Sequence, residues 1–204
     1  MFALLMLCGL CCQEPQYYCI VFSSQNPKLN TPDQSHVWAT FVTATGGKIQ
    51  ESFTISWYPQ NPWRITDRRV PGYNKTLHAS IADILNDGNE VVAWGPYAMT
   101  DKAYRNAQLQ YRRLEGGYCK YKAIDFASRD KDACNCIHAV SDIGYRLHTG
   151  TRYGHAAAGY VITCLQRQEL ISRQESHDQL LTDLGLDRYK WRRKATPRQG
   201  CPYA

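Results

Sequence analysis

The sequence predicts an α+β domain, an antiparallel sheet with helices packed against it, on three observations. A strand pair joined by a two-glycine turn runs from Ser35 to Trp57, segments with helix caps and helical spacing follow it, and further short strand-like runs alternate with those helices. In the pair, Ser35-His36-Val37-Trp38-Ala39-Thr40-Phe41-Val42-Thr43 leads through Gly46-Gly47 into Glu51-Ser52-Phe53-Thr54-Ile55-Ser56-Trp57. Phe53, Ile55 and Trp57 alternate with Ser52, Thr54 and Ser56, which predicts one buried face and one polar face. Matching the apolar set to Val37, Ala39 and Phe41 pairs Phe41 with Phe53 and Ala39 with Ile55. His36 then lies opposite Tyr58 and diagonal to Ser56, on the face away from the two phenylalanines. Glu51 falls on the wrong face in this register unless a bulge intervenes.

The remaining elements follow in order. A loop with Pro59, Pro62 and Pro71 carries Trp63, which would wall a groove or cover the sheet. Leu77 to Leu85 has helical spacing, with Gly88 just past its end. Glu90 to Trp94 is a strand, closed by Gly95-Pro96. Thr100-Asp101 opens a helix bearing Ala103, Ala107, Leu109 and Leu114, stopped by Gly116-Gly117. Tyr118 to Ile124 alternates like a strand. The polar stretch Ser128 to Asp132 leads to a second helix from about Ala133 to His148, stopped by Gly150. Ala156 to Leu165 stays open between helix, on its alanines, and strand, on Tyr160-Val161-Ile162-Thr163. Ser172 to Leu184 has the pattern of an amphipathic terminal helix, and no internal repeat is present.

The 204 residues are 44% apolar and 21% charged, enough to bury a core and too apolar for a disordered chain. No apolar run approaches the ~18 residues of a membrane span. The net charge, 24 − 18 = +6, gives no argument for nucleic acid as a partner. Met1 to Cys12 is continuously apolar, the length of an export-signal core, and its clustered cysteines suit a lipoprotein signal or membrane attachment. Against that, no Lys or Arg precedes it, and Leu rather than a small residue stands before Cys8 and Cys11; a buried first strand or a mis-assigned start is the alternative. Arg188 to Arg198 carries six positive charges and no negative one, as a solvated tail or a contact for an acidic surface. The expected organisation is therefore 1–15 as export signal or lipid anchor, 16–170 as the folded domain and 171–204 as a helical, basic tail. The location implied is the cell envelope or outside it, or the cytoplasm if the first run is a strand. Asn74-Lys75-Thr76 is a formal glycosylation triplet without weight.

Nine cysteines occur, with no pair of CxxC motifs, so a zinc ribbon is disfavoured. The informative stretch is Cys134-Asn135-Cys136-Ile137-His138-Ala139-Val140-Ser141-Asp142-Ile143. On helical spacing Cys136, Val140, Ile143 and Leu147 share one face, which aims Cys136 inward from the first turn. Unpaired amides and the dipole there favour thiolate over thiol. His138 is about 200° around the helix and cannot serve Cys136 as a base. His36 is the candidate base, and its second ring nitrogen needs an orienting acceptor, for which Ser56, with Thr54 and Tyr58 nearby, is placed. The oxyanion would be held by amides at the helix start, beside Asn135, with Tyr118 or Tyr121 helping. His78, His148, His155 and His177 have no partner legible in the sequence.

A His on the first strand of a hairpin, a polar residue on the second and a later Asn135-Cys136-x-His138-x-Val140 helix start resemble the circularly permuted papain-like thiol hydrolases, of which the lecithin retinol acyltransferase family is one branch. The likeness spans about Tyr17 to Leu165, and it reverses the papain order by placing His before Cys. It implies a permuted papain-like fold with Cys136 as nucleophile and His36 as base; the third slot has no His, Asp or Glu and falls to Ser56. The expected function is hydrolysis or transfer of an acyl or amide group through a Cys136 thioester, on a peptide, cell-wall amide or lipid acyl substrate, without a cofactor. The rivals are a non-catalytic envelope protein of the same fold, with Cys136 structural or disulfide-bonded, and a metal-binding module using Cys119, Cys134 and Cys136.

Overall fold

The computed structural model describes residues 13–26, 36–61, 68–123, 130–144 and 154–195. The apolar run 1–12, Trp63, Ile124, His148 and the basic segment beyond 195 lie outside the described residues, as does the side chain of His155. Along the chain come β1 (Gln16–Gln25), β2 (Val37–Thr45), β3 (Lys48–Ile55), β4 (Trp57–Pro59), β5 (Gly72–Asn74), α1 (Leu77–Asn86), β6 (Glu90–Met99) and α2 (Asp101–Glu115). They are followed by β7 (Lys120–Tyr121), β8 (Ala133–Cys134), α3 (Cys136–Ser141), α4 (Gly154–Arg167), β9 (Ile171–Glu175), α5 (Gln179–Asp183) and β10 (Trp191–Arg193). The main sheet runs β10-β6-β1-β2-β3, with β9 also on β6; its pairings are antiparallel except β10 with β6. The architecture is α+β, as the sequence predicts.

The hairpin has the expected register. Phe41 pairs with Phe53 and Ala39 with Ile55, and the two phenyl rings stack at 5.1 Å. Glu51 pairs with Thr43, still in this register and on the Phe53 face, but exposed; the register shift lies beyond it, between Thr43 and Ala44, so that Ile49 pairs with Ala44. The second face of the hairpin is not a polar surface, however. Ile20, Phe22 and Trp38 on that face pack under Leu77, Ile81 and Ile84 of α1, and Thr54 and Ser56 are buried with them. The opposite face carries Val21, Val37, Ala39 and Phe41 and packs on α2, α3 and α4. With both faces covered, the central strand β1 reads as a nearly unbroken apolar run, Tyr18 to Phe22, rather than an alternation.

Other expectations change for local reasons. Gly95-Pro96 does not close β6; it sits where the β1–β6 register shifts between Cys19 and Val21, an irregularity that tolerates proline. Gly95 has φ 97°, and a Cβ there would stand 2.8 Å from the Cys19 carbonyl oxygen. Of the strand expected over Tyr118 to Ile124, Lys120–Tyr121 forms, pairing in parallel with β8. The helix expected from Ala133 begins at Cys136 and ends at Ser141, because Asn135 caps it and the chain turns at Asp142. The open segment Ala156 to Leu165 is helical, within α4. Ser172 to Leu184 is not one helix: β9 ends at Glu175, His177 has φ 62°, and α5 starts two residues later. The basic stretch folds back as β10, where Arg193 bridges Glu175 and Asp178, each at 2.8 Å, and is not a solvated tail there.

Candidate active site at the end of β2

The site starts where the hairpin ladder stops. His36 donates its backbone N–H to Ser24 Oγ (2.6 Å) and accepts from the Ser24 N–H (2.8 Å), which fixes the entry to β2. The β2–β3 pairing ends at Ala39 and Ile55, and the chain then leaves to form β4, which pairs with β5. The Val37 amide is therefore released from the ladder on that side, and the Cys136 sulfur accepts from it, and from the amides of Ile137 and Cys136 itself. The thiol thus lies against the residue that follows His36.

The imidazole is held on its other side. Its Nε2 is 3.0 Å from Ser56 Oγ, which is 2.7 Å from Ser80 Oγ on α1. The Ser56 backbone N–H donates to Asn74 Oδ1 (3.0 Å), and Asn74 Nδ2 donates to Glu115 (2.9 Å), so the residue of the glycosylation triplet is occupied inside the fold. The His36 ring packs on Tyr58 at 4.1 Å and on Trp38 at 5.5 Å. Lys75, ion-paired with Asp83, lies 4.2 Å from the centre of the Tyr58 ring.

These contacts place His36 with Trp38 on the α1 side of the sheet and Cys136 with Val37 on the α3 side. The two groups flank the end of β2 on different faces of the sheet, and no hydrogen bond joins them directly among the described residues. Tyr58 lies between them: its ring packs on His36 at a tilt, and its phenol is raised by burial and then by the nearness of Cys136. Tyr121 is raised for the same two reasons in the same order.

The electrostatics correct the expected thiolate. Burial pushes the Cys136 thiol up, and the three amide donors that pull it down do not cancel this. Burial, followed by the Lys75 cation, lowers His36 to about 3. At neutral pH the pair is a thiol and a neutral imidazole, with Tyr58 and Tyr121 as protonated phenols.

The other predicted residues are placed as follows. Asn135 is fully buried and committed to structure: its Oδ1 accepts from the His138 N–H (2.9 Å), and its Nδ2 donates to the Ala123 carbonyl (3.4 Å). It orients the start of α3 and does not face a substrate. Tyr118 is 75% exposed with its ring against Gly116, so of the two suggested tyrosines Tyr121 adjoins Cys136. Cys119, Cys134 and Cys136 do not form a metal ligand set. The first two sulfurs are 3.1 Å apart while that of Cys136 turns to Val37, and among the described residues no group of three His, Cys, Asp or Glu could hold an ion. His78 and His177 do have partners, Tyr189 (3.2 Å) and the Tyr18 ring (4.7 Å). A polar cleft of about 520 Å³ lined by Asn106, Gln110, Arg113 and Asp142 includes neither Cys136 nor His36.

Sequence reasoning did not reach Ser80, Lys75 or Asn74. Ser80 alone left a trace: a polar residue within the apolar stripe Leu77, Ile81, Ile84 of a predicted helix. No protein-family model, curated protein or solved structure matches the chain.

Proposed function

We propose that the chain is a thiol-dependent hydrolase or acyltransferase with a permuted papain-like arrangement, in which Cys136 carries the acyl group and His36 moves the proton. The observation that carries this reading is the hydrogen bond from the Val37 amide to the Cys136 sulfur, which brings the sulfur to the residue that follows His36. As the sulfur attacks a carbonyl carbon, the neutral imidazole accepts the thiol proton. The carbonyl electrons move to oxygen, where Tyr121 and Tyr58 are available O–H donors. Collapse expels the amine or alcohol, which takes the proton from the imidazolium, and leaves a thioester. Water or a second nucleophile then releases the acyl group by the same steps in reverse order.

Because the resting pair is uncharged, His36 acts as a general base during attack rather than as half of a preformed ion pair. A peptide, a cell-wall amide or a lipid acyl group fits this chemistry, and an envelope or extracellular location, should the run 1–12 direct export, would supply all three.

The test is covalent trapping. Full-length protein is incubated with a panel of activated acyl donors and amide-mimicking thiol probes, and adducts are mapped by mass spectrometry. A single adduct on Cys136, absent in Cys136→Ala and strongly reduced in His36→Ala, is expected. Labelling that leaves Cys136 untouched, or that is indifferent to His36, removes the reading.

A further inference from the structure

Two sulfurs that the proposed catalysis does not use are in contact: Cys119 Sγ and Cys134 Sγ are 3.1 Å apart, and both side chains are buried. Cys119 directly precedes β7 and Cys134 ends β8, the two-residue parallel pair in which Tyr121 stands opposite Cys134. Two residues beyond each cysteine comes a group of the site, Tyr121 after Cys119 and Cys136 after Cys134. Tyr121 adjoins the Cys136 thiol, so the same two segments carry the sulfur–sulfur contact and the approach of the phenol to the nucleophile. Backbone bonds tie these segments together, from the Lys120 N–H to the Asp132 carbonyl (2.8 Å) and from the Lys122 N–H to the Cys134 carbonyl (3.1 Å). Movement of Cys119 toward Cys134 is therefore passed to Tyr121 and to the cap of α3 at Asn135.

We propose that Cys119 and Cys134 are a reversible dithiol–disulfide couple that regulates the site by fixing Tyr121 beside Cys136. The catalytic meaning rests on the proposed function; the couple itself rests on the sulfur contact and the strand register. The oxidant is a small disulfide such as oxidised glutathione. One cysteine thiolate attacks it and expels the first glutathione, leaving a mixed disulfide. The second cysteine sulfur then displaces the other half, and the S–S bond closes. The two cysteine protons and two electrons leave on two reduced glutathiones. In the packed state Cys134 is held as a thiol, first by its hydrogen bond with Cys119 and then by burial. Exchange therefore waits on local opening, which a strand pair two residues long undergoes more readily than the core sheet. Cys19, on the central strand β1 and pushed up to about 12 by burial, is the internal control for global unfolding.

Full-length protein is equilibrated in glutathione buffers of graded composition, quenched with acid, unfolded and alkylated, and its thiols are mapped by mass spectrometry. A transition that links Cys119 to Cys134 and is reversed by a reducing buffer is expected, with Cys19 reduced throughout. The two forms are then compared for acylation of Cys136 by one activated acyl donor. The disulfide form is expected to react about threefold faster or more, a fraction of the roughly 10²–10³-fold that one oxyanion donor is worth. Cys119→Ser is expected to keep the slower rate in every buffer. Tyr121→Phe is expected to form the disulfide and lose the rate difference, which a merely stabilising link would not do. A glutathione adduct without the Cys119–Cys134 link, or equal rates in the two forms, overturns the proposal even if neither variant folds. The link with no acylation of Cys136 in either form sinks the enzymatic reading alone, whereas acylation with no link sinks the couple alone.

Discussion

The amide of Val37 donates to the sulfur of Cys136, and this bond ties the end of a strand to the start of a helix about a hundred residues later in the chain. It also sets what the thiol can do. The amide donors stabilise a thiolate, but burial opposes it more strongly, so the sulfur is held protonated until a base removes the proton.

Reactivity toward a small alkylating agent should therefore be slow. With iodoacetamide, which needs free thiolate, Cys136 is expected to react more slowly than a model thiol at pH 7 and to accelerate only above the ordinary thiol range. Acylation by a recognised donor should instead depend on His36, and His36→Ala is expected to lower it by about 10²–10⁴-fold, the usual span for general-base assistance. Site-resolved rates by mass spectrometry read both. Fast alkylation at pH 6 would show an ion pair and refute the general-base form of the mechanism.

The lowered His36 carries a stability consequence. In the unfolded chain its imidazole titrates near 6.5, whereas in the fold it stays neutral down to about 3. Between those values the unfolded chain binds a proton that the folded one excludes, so stability rises with pH across this window. The contribution is fully present above about 6.5 and is lost as pH falls toward 3, amounting to a few kcal/mol over the whole interval. Urea titrations at pH 7 and pH 4 should show the wild type losing more stability than His36→Gln. Equal losses would mean that the ring is charged in the fold. Activity that depends on neutral His36 should likewise persist well below pH 6.5.

The hairpin was legible because Phe53, Ile55 and Trp57 admit one match to Val37, Ala39 and Phe41. The order His36 before Cys136 was legible too, since each sits next to a recognisable element boundary. What the pattern concealed follows from burial on both faces. The central strand Gln16–Gln25 shows no alternation, and Thr54 of β3 and Ser56 just past it look solvent-facing although both are buried. Ser56 was found from its place diagonal to His36, but Ser80 lies on a helix whose docking site the sequence does not state. The segment Ser172 to Leu184 has helical periodicity by coincidence of a strand and a short helix, and the turn at His177 between them carries no glycine to announce it.

Asn135 is expected to matter for stability rather than for substrate contact. Its side chain satisfies the His138 N–H inside a fully buried turn, and Asn135→Ala leaves that donor and the Ala123 carbonyl without their partners. The loss should be about 1–2 kcal/mol by chemical denaturation. Because the same cap places Cys136, the rate of acylation should fall while the KM of any substrate found stays nearly constant. A large rise in KM with unchanged stability would instead assign Asn135 to the substrate.

The two cysteines beside the site invite a different measurement. Cys119 and Cys134 are buried, and their sulfurs are 3.1 Å apart at the β7–β8 pair, whereas a disulfide needs ~2 Å. Closing them requires movement of about 1 Å, within side-chain adjustment. A diazene oxidant such as diamide removes both thiol hydrogens and is itself reduced to the hydrazine. One sulfur adds to it, and the second displaces it to form the S–S bond. Peptide mapping after mild oxidation is expected to find Cys119 linked to Cys134, with Cys136 and Cys19 still alkylatable after unfolding. The link spans 15 residues, and loop-closure entropy for that length is worth up to about 3 kcal/mol, read as a higher midpoint in thermal melts of the oxidised protein. It would also fix the strand that leads into Asn135 and Cys136. Oxidation that instead joins Cys136 to Cys134 would require the sulfur to leave the Val37 amide, and with it the placement on which the proposed catalysis depends.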